Sequence, residues 1–180
     1  MKLIVVGVAD CQVSNQHDAA IATYALGSCI AVAIHDAVAC VGGMLHFMLP
    51  ESEIDRAKAE KNPYMFADTG IPLLFRTALQ QGADRRRLTV RVAGGAQFLD
   101  DKGLFNIGKR NYLALRKILW KSGVMLHGEL VGGTVSRTLR LEIDSGKLFV
   151  RESGNGETEL RAGTVVGKEA GNGVQCTNRG

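Results

Sequence analysis

Residues 23 to 50 set the terms for the rest of the chain, because two unbroken apolar runs there carry one cysteine and one histidine between them. Cys29 to Ile34 and Val41 to Leu49 are rich in Ile, Val, Ala and Leu, and Asp36-Ala37-Val38-Ala39 lies between them as a connection. This is the pattern of a β-hairpin near the middle of a fold. If Ala37 and Val38 form a two-residue loop, Asp36 faces Ala39 and Cys29 faces His46, with Cβ atoms roughly 5 Å apart on one face. A one-residue slip would put the two side chains on opposite faces.

A thiol beside an imidazole is the arrangement of an activated nucleophile: the ring takes the proton, the ion pair favours thiolate, and thiolate attacks a carbonyl carbon. Thr23 supplies a third group, able to accept from the ring nitrogen that does not face sulfur. Gly27 gives a tight entry to Cys29, and the amides of Ser28 or Cys29 are candidate donors to an oxyanion. The plainer reading is that a single cysteine on an apolar strand is a small buried hydrophobe.

The string Leu26-Gly27-Ser28-Cys29-Ile30-Ala31-Val32, followed by Gly43, His46 and Met48-Leu49-Pro50, resembles the CheD family, the chemoreceptor glutamine deamidases of bacterial chemotaxis. The family's Thr, Cys and His fall on Thr23, Cys29 and His46. The resemblance also covers Gly94-Gly95-Ala96, the Ile107-Gly108-Lys109-Arg110-Asn111 run, and Gly132-Gly133 followed by Arg137, where Ser136 replaces a family glycine. It implies a layered α+β fold shared with the deamidase domain of cytotoxic necrotizing toxins. The implied activity is that of a protein-glutamine glutaminase: a cysteine thioester converts receptor glutamines to glutamates. The implied partners are the cytoplasmic helices of methyl-accepting chemotaxis receptors and the CheC phosphatase. An adaptor that binds CheC with little catalysis of its own is the alternative, and a Cys29–Cys40 redox pair is a weaker third.

With 180 residues, 46% hydrophobic and 22% charged, the chain suits one globular domain. No apolar run reaches the roughly 18 residues a membrane span needs, and Asp10 comes too early for a signal peptide, so a soluble cytoplasmic protein with reduced thiols is expected. The formal charge of +4 suits an acidic partner. Arg85-Arg86-Arg87 lacks interleaved aromatics and reads as a solvated turn, so nucleic acid is not expected. Cys29, Cys40, His35 and His46 lack the close ligand pairs of a zinc site, and neither metal nor cofactor is expected.

The fold expected is a largely antiparallel β-sheet with two main helices. Strands are expected at Leu3 to Val8, from Gln12, at Leu88 to Val92, Val124 to Val131, Arg137 to Ile143 and Lys147 to Val150. One helix runs from about Asp68, with Asp68 or Thr69 as its cap, to Gln81; the other opens at Asn106 as a cap and closes at Gly123. The charged segment 51–63 reads as a surface connection. His35 is expected at a turn and His127 within a strand. The deamidase domain is set at 1–151, and the Gly-rich tail 152–180 is expected to be disordered.

Overall fold

The computed structural model describes residues 1–97 and 106–168. Two sheets and a helical layer are stacked in order, so the class is α+β as expected, with two sheets where one was anticipated. The outer sheet has the order β1 (Lys2–Val6), β3 (Ala19–Leu26), β8 (Arg137–Glu142), β9 (Leu148–Glu152), β10 (Glu157–Glu159). The inner sheet has the order β11 (Val165–Lys168), β7 (Gly128–Gly132), β6 (Thr89–Gly94), β4 (Ile30–Asp36), β5 (Val41–Phe47), β2 (Asp10–Ser14). Pairing is antiparallel except between β1 and β3, β6 and β7, and β7 and β11.

The inner sheet is covered on both faces, which explains why β4 and β5 read as unbroken apolar runs: every residue of both strands is buried. Ile30, Val32, Ile34, Leu45 and Phe47 pack on α2 (Ala67–Gln80) and α3 (Ile107–Lys121) through Ile71, Leu74, Leu115 and Leu119. The alternate residues Ala31, Ala33 and Met44 meet Ile21, Leu139, Leu141 and Val150 of the outer sheet. Strand β3 was not anticipated. Its Ala19-Ala20-Ile21-Ala22-Thr23 run is buried throughout and so shows no polar alternation.

The hairpin is offset by two residues from the expected register, with Asp36 opposite Val41 and His46 opposite Ala31. A four-residue loop closes it because the Asp36 carboxylate accepts from the amides of Val38 (2.9 Å) and Ala39 (3.1 Å), and Cys40 takes a positive φ of 49°. Burial alone would raise the Asp36 carboxyl. Arg87 and the Asp84, Ala39 and Val38 amides hold it well below the usual carboxylate range. Arg85-Arg86-Arg87 forms an exposed turn, as expected, and from it Arg87 also anchors the hairpin.

Other expectations also change. Phe66 occupies the α2 cap position without a side-chain bond, while Asp68 in the first turn accepts from the Ser52 amide and hydroxyl. Asn106 precedes α3 in the left-handed conformation and makes no cap bond, its carboxamide oxygen accepting instead from Gln97. Segment 51–63, expected as a surface loop with a turn of helix, is such a surface segment, holding a 3-10 turn and the short helix α1 (Arg56–Lys61). His35 is buried at the end of β4, its Nε2 donating to the Ile143 carbonyl at 2.7 Å. His127 lies just before β7 and accepts from the Val90 amide at 3.0 Å.

The segment from 152 onward was expected to be disordered, yet β10 and β11 fall inside it; residues 169–180 lie outside the described part. Order there needs little apolar periodicity, because the strands hydrogen-bond to sheet edges and a single residue, Leu160, anchors them, 4% exposed in the inter-sheet core. The Leu160 carbonyl also accepts from the buried Arg91 at 3.1 Å. Truncation after residue 154 is accordingly expected to destabilise the fold by about 2–4 kcal/mol, the scale of losing one large core side chain. A urea midpoint equal to that of the full chain would show that this segment does not dock.

Candidate active site

Thr23 and His46 come from different sheets and meet between them. Thr23 sits on β3 opposite Val6 of β1, and a β-bulge follows it at once, where the register against β8 shifts and Ala25 takes a φ of 55°. The bulge ends β3 and sends the chain from Leu26 through Gly27-Ser28 to Cys29, the residue immediately before β4. His46, 1% exposed, lies on the inner-sheet face that looks at β3.

The Thr23 hydroxyl fixes the tautomer of that ring. Thr23 Oγ1 donates its one proton to the Val6 carbonyl at 2.8 Å, and the same oxygen lies 2.8 Å from His46 Nδ1. Having no proton left to give, the hydroxyl accepts, so Nδ1 carries the hydrogen and Nε2 holds a bare lone pair. Nε2 is buried, with no hydrogen-bond partner among the described residues. A buried acceptor without a donor is costly, and it is the form in which a base waits for a proton.

Cys29 is half-buried and packs on the same inter-sheet cluster, but it stands diagonal to His46 because of the offset in the hairpin. Burial pushes its thiol up, against the lowering effect of its own amide hydrogen bond. Burial pushes His46 down to about 4. The resting pair is therefore a neutral thiol and a neutral imidazole, which corrects the expectation of a standing thiolate–imidazolium pair.

Backbone contacts pin the Cys29 loop. The Cys29 carbonyl accepts from Gly95 N and the Gly27 carbonyl from Ala96 N, each at 2.8 Å. Gly94 approaches so closely, at φ 118°, that a Cβ there would lie 2.3 Å from the Cys29 oxygen. Arg137, fully buried on β8, reaches across the layers and donates to the carbonyls of Gly132 (2.8 Å) and Gly94 (3.3 Å) while pairing with Glu152 at 2.9 Å. The positioning part played by Arg137 was not read from the sequence; the signal was an arginine on a strand whose neighbours at every second position are apolar. Gly27 and Ser28 lie between the bulge and Cys29. Cys40, in the hairpin loop, is separated from Cys29 by the whole of β4, roughly 20 Å, too far for a disulfide.

The family model described as "CheD chemotactic sensory transduction" matches residues 48–152. A protein of Solibacter usitatus named "Probable chemoreceptor glutamine deamidase CheD" is 60% identical over 154 residues, covering 86% of this chain and 91% of its own. This chain belongs to the CheD family. Namesakes from Syntrophus aciditrophicus and Anaeromyxobacter dehalogenans are 50% and 46% identical and cover 98% and 95% of their own lengths, with 87% and 84% of this chain. The CheD match contains Gly94 to Ala96, α3 and Arg137. It begins at Met48, beyond Thr23, Cys29 and His46, so the grouping of those three rests here on their geometry.

Proposed function

We propose that this CheD-family protein is a chemoreceptor glutamine deamidase in which Cys29 is the nucleophile, His46 the general base and acid, and Thr23 the group that orients the ring. The observation that carries this reading is the proton inventory at Thr23, which leaves His46 Nε2 with a bare, buried lone pair between the same two sheets that half-bury the Cys29 thiol. Cys29 Sγ attacks the carboxamide carbon as Nε2 takes the thiol proton. The imidazolium then delivers that proton to the departing ammonia, leaving a thioester. Nε2 next removes a proton from water, and the hydroxide releases glutamate and restores the thiol. The Cys29 amide, hydrogen-bonded to its own sulfur, with those of Gly27 and Ser28, is the proposed oxyanion donor set.

The proposed substrate is a cytoplasmic helix of a chemotaxis receptor. The exposed side of α3 fits an acidic helix, since Lys109, Arg110, Arg116, Lys117 and Lys121 are exposed there and α3 contains no acid. Such attraction speeds encounter and weakens with salt. Among the described residues no helix is long and apolar enough to cross a membrane. A cytoplasmic location follows from the proposed substrate, and CheC is a further proposed partner.

The test is incubation with a receptor cytoplasmic fragment, reading the exchange of amide for acid by mass spectrometry; unchanged glutamines would sink the proposal. Thr23→Ala should slow that reaction by about tenfold to a thousandfold, because the ring loses its tautomer lock but keeps its place. Turnover at the wild-type rate would show that Thr23 does not orient His46. Because His46 must be neutral to act, turnover should persist on acidification and fall as the pH drops through about 4. A fall centred near the ordinary histidine range would place the base in a wetter site.

A further inference from the structure

The β4–β5 ladder ends at Ile30 opposite Phe47, one residue short of Cys29. Beyond that pair, among the described residues, no strand hydrogen bond ties the Cys29 loop to the strand that carries His46. A side chain does so instead. Asn111, fully buried in the first turns of α3, donates through Nδ2 to the Ser28 carbonyl at 3.0 Å and to the Met48 carbonyl at 2.7 Å. Ser28 adjoins Cys29, and Met48 is two residues past His46. On the opposite side the same loop is held by the Gly95 and Ala96 amides. The loop is thus gripped by main chain from β6 and by one carboxamide on the β5 side.

We infer that Asn111 is a positioning residue for the reaction: its carboxamide stands in for the missing rung of the hairpin and fixes the distance between the Cys29 sulfur and the His46 ring. Three features agree. Both protons of the amide are spent, one on each carbonyl. Its oxygen, by contrast, is buried with no partner among the described residues, a cost that the two donor bonds offset. The helix is brought close enough for the bridge because Gly108 abuts Gly95, where a Cβ would lie 2.4 Å from the Gly95 carbonyl oxygen. The same Gly-Gly corner therefore seats both the loop and the helix turn that grips it. Asn111 does not touch the reacting atoms; it acts through the backbone on either side of them.

The inference rests on Cys29 and His46 being the reacting pair, and its test separates the two claims. Asn111→Leu keeps the γ-branched shape and removes both donors. With activity normalised to the folded fraction, kcat should fall about tenfold to a hundredfold while KM stays within about threefold, as expected when reacting groups are misplaced and substrate contacts are not. A normalised kcat equal to that of the wild type would overturn the inference.

While the Cys29 thiol is neutral, its alkylation needs a base to take the proton as the carbon–sulfur bond forms, so a double-mutant cycle with His46 on iodoacetamide labelling supplies a readout that a purely structural role would not move. Asn111→Leu should slow alkylation in the wild-type background and leave it unchanged when His46→Ala is already present. Equal effects in both backgrounds would make Asn111 structural only. Alkylation indifferent to His46→Ala would remove the reacting pair itself and this inference with it. Should Asn111→Leu fail to fold, nitrogen-15 NMR of the wild-type chain decides. Both Asn111 side-chain amide protons should exchange slowly with solvent, and rapid exchange of either would refute the bridge.

Discussion

Cys29→Ala is expected to abolish ammonia release from a receptor fragment, a loss of at least about ten-thousand-fold, since a covalent mechanism has no second route through an alanine methyl. Cys11→Ala, Cys40→Ala and Cys176→Ala should each retain turnover. Cys11 lies on β2, where burial, with the Asp10 charge, pushes its thiol up to about 12, so it remains protonated and inert. Cys40 sits in the hairpin loop, at the end of β4 opposite Cys29. The assignment fails if folded Cys40→Ala is as inactive as Cys29→Ala. The neutral resting pair adds a second measurement: without substrate, iodoacetamide labelling of Cys29 should rise only at a pH above that of a free thiol. Labelling that rises below the free-thiol range would show that the ion pair already exists at rest.

Gly94→Ala should be nearly as damaging to turnover and far more damaging to the fold than its single added carbon suggests. The new Cβ would meet the Cys29 carbonyl oxygen at 2.3 Å and the Ile30 Cα at 3.1 Å, both main-chain atoms that cannot swing aside, at a φ of 118°. Backbone strain and overpacking together should cost about 3–5 kcal/mol. Gly154→Ala is the control. It shares a positive φ, 85°, but would meet nothing within 4 Å, so it should cost only about 1 kcal/mol. Urea midpoints of the two variants check the contrast, and similar midpoints would mean that the corner at Gly94 has room to yield.

Much of this site can be read in the sequence because its parts lie on one hairpin. The apolar runs around Cys29 and His46 announce two adjacent buried strands, and the Gly94-Gly95-Ala96 string announces a close backbone approach. The register was not legible. It is decided by Asp36, whose side chain builds a wider loop and whose charge is answered by Arg87, a residue distant in sequence. Strand β3 escaped notice for a related reason: alternation marks a strand with one wet face, and β3 is buried through Ala19 to Thr23. The duties of Asn111 and Arg137 were hidden because both act on main-chain carbonyls, which every residue possesses, so no pairing of side-chain types signals them.

The proposed base and the hydroxyl that holds its ring belong to separate sheets, joined at this point by a hydrogen bond of 2.8 Å. Turnover is therefore a gauge of how faithfully the two layers stay aligned, finer than any measure of whether they remain folded. A slide of the outer sheet by a fraction of an ångström would leave secondary structure and most packing intact while releasing the ring from its tautomer lock. On gradual warming, activity should fade before circular dichroism reports any melting, and the interval between the two would measure the play in the sandwich.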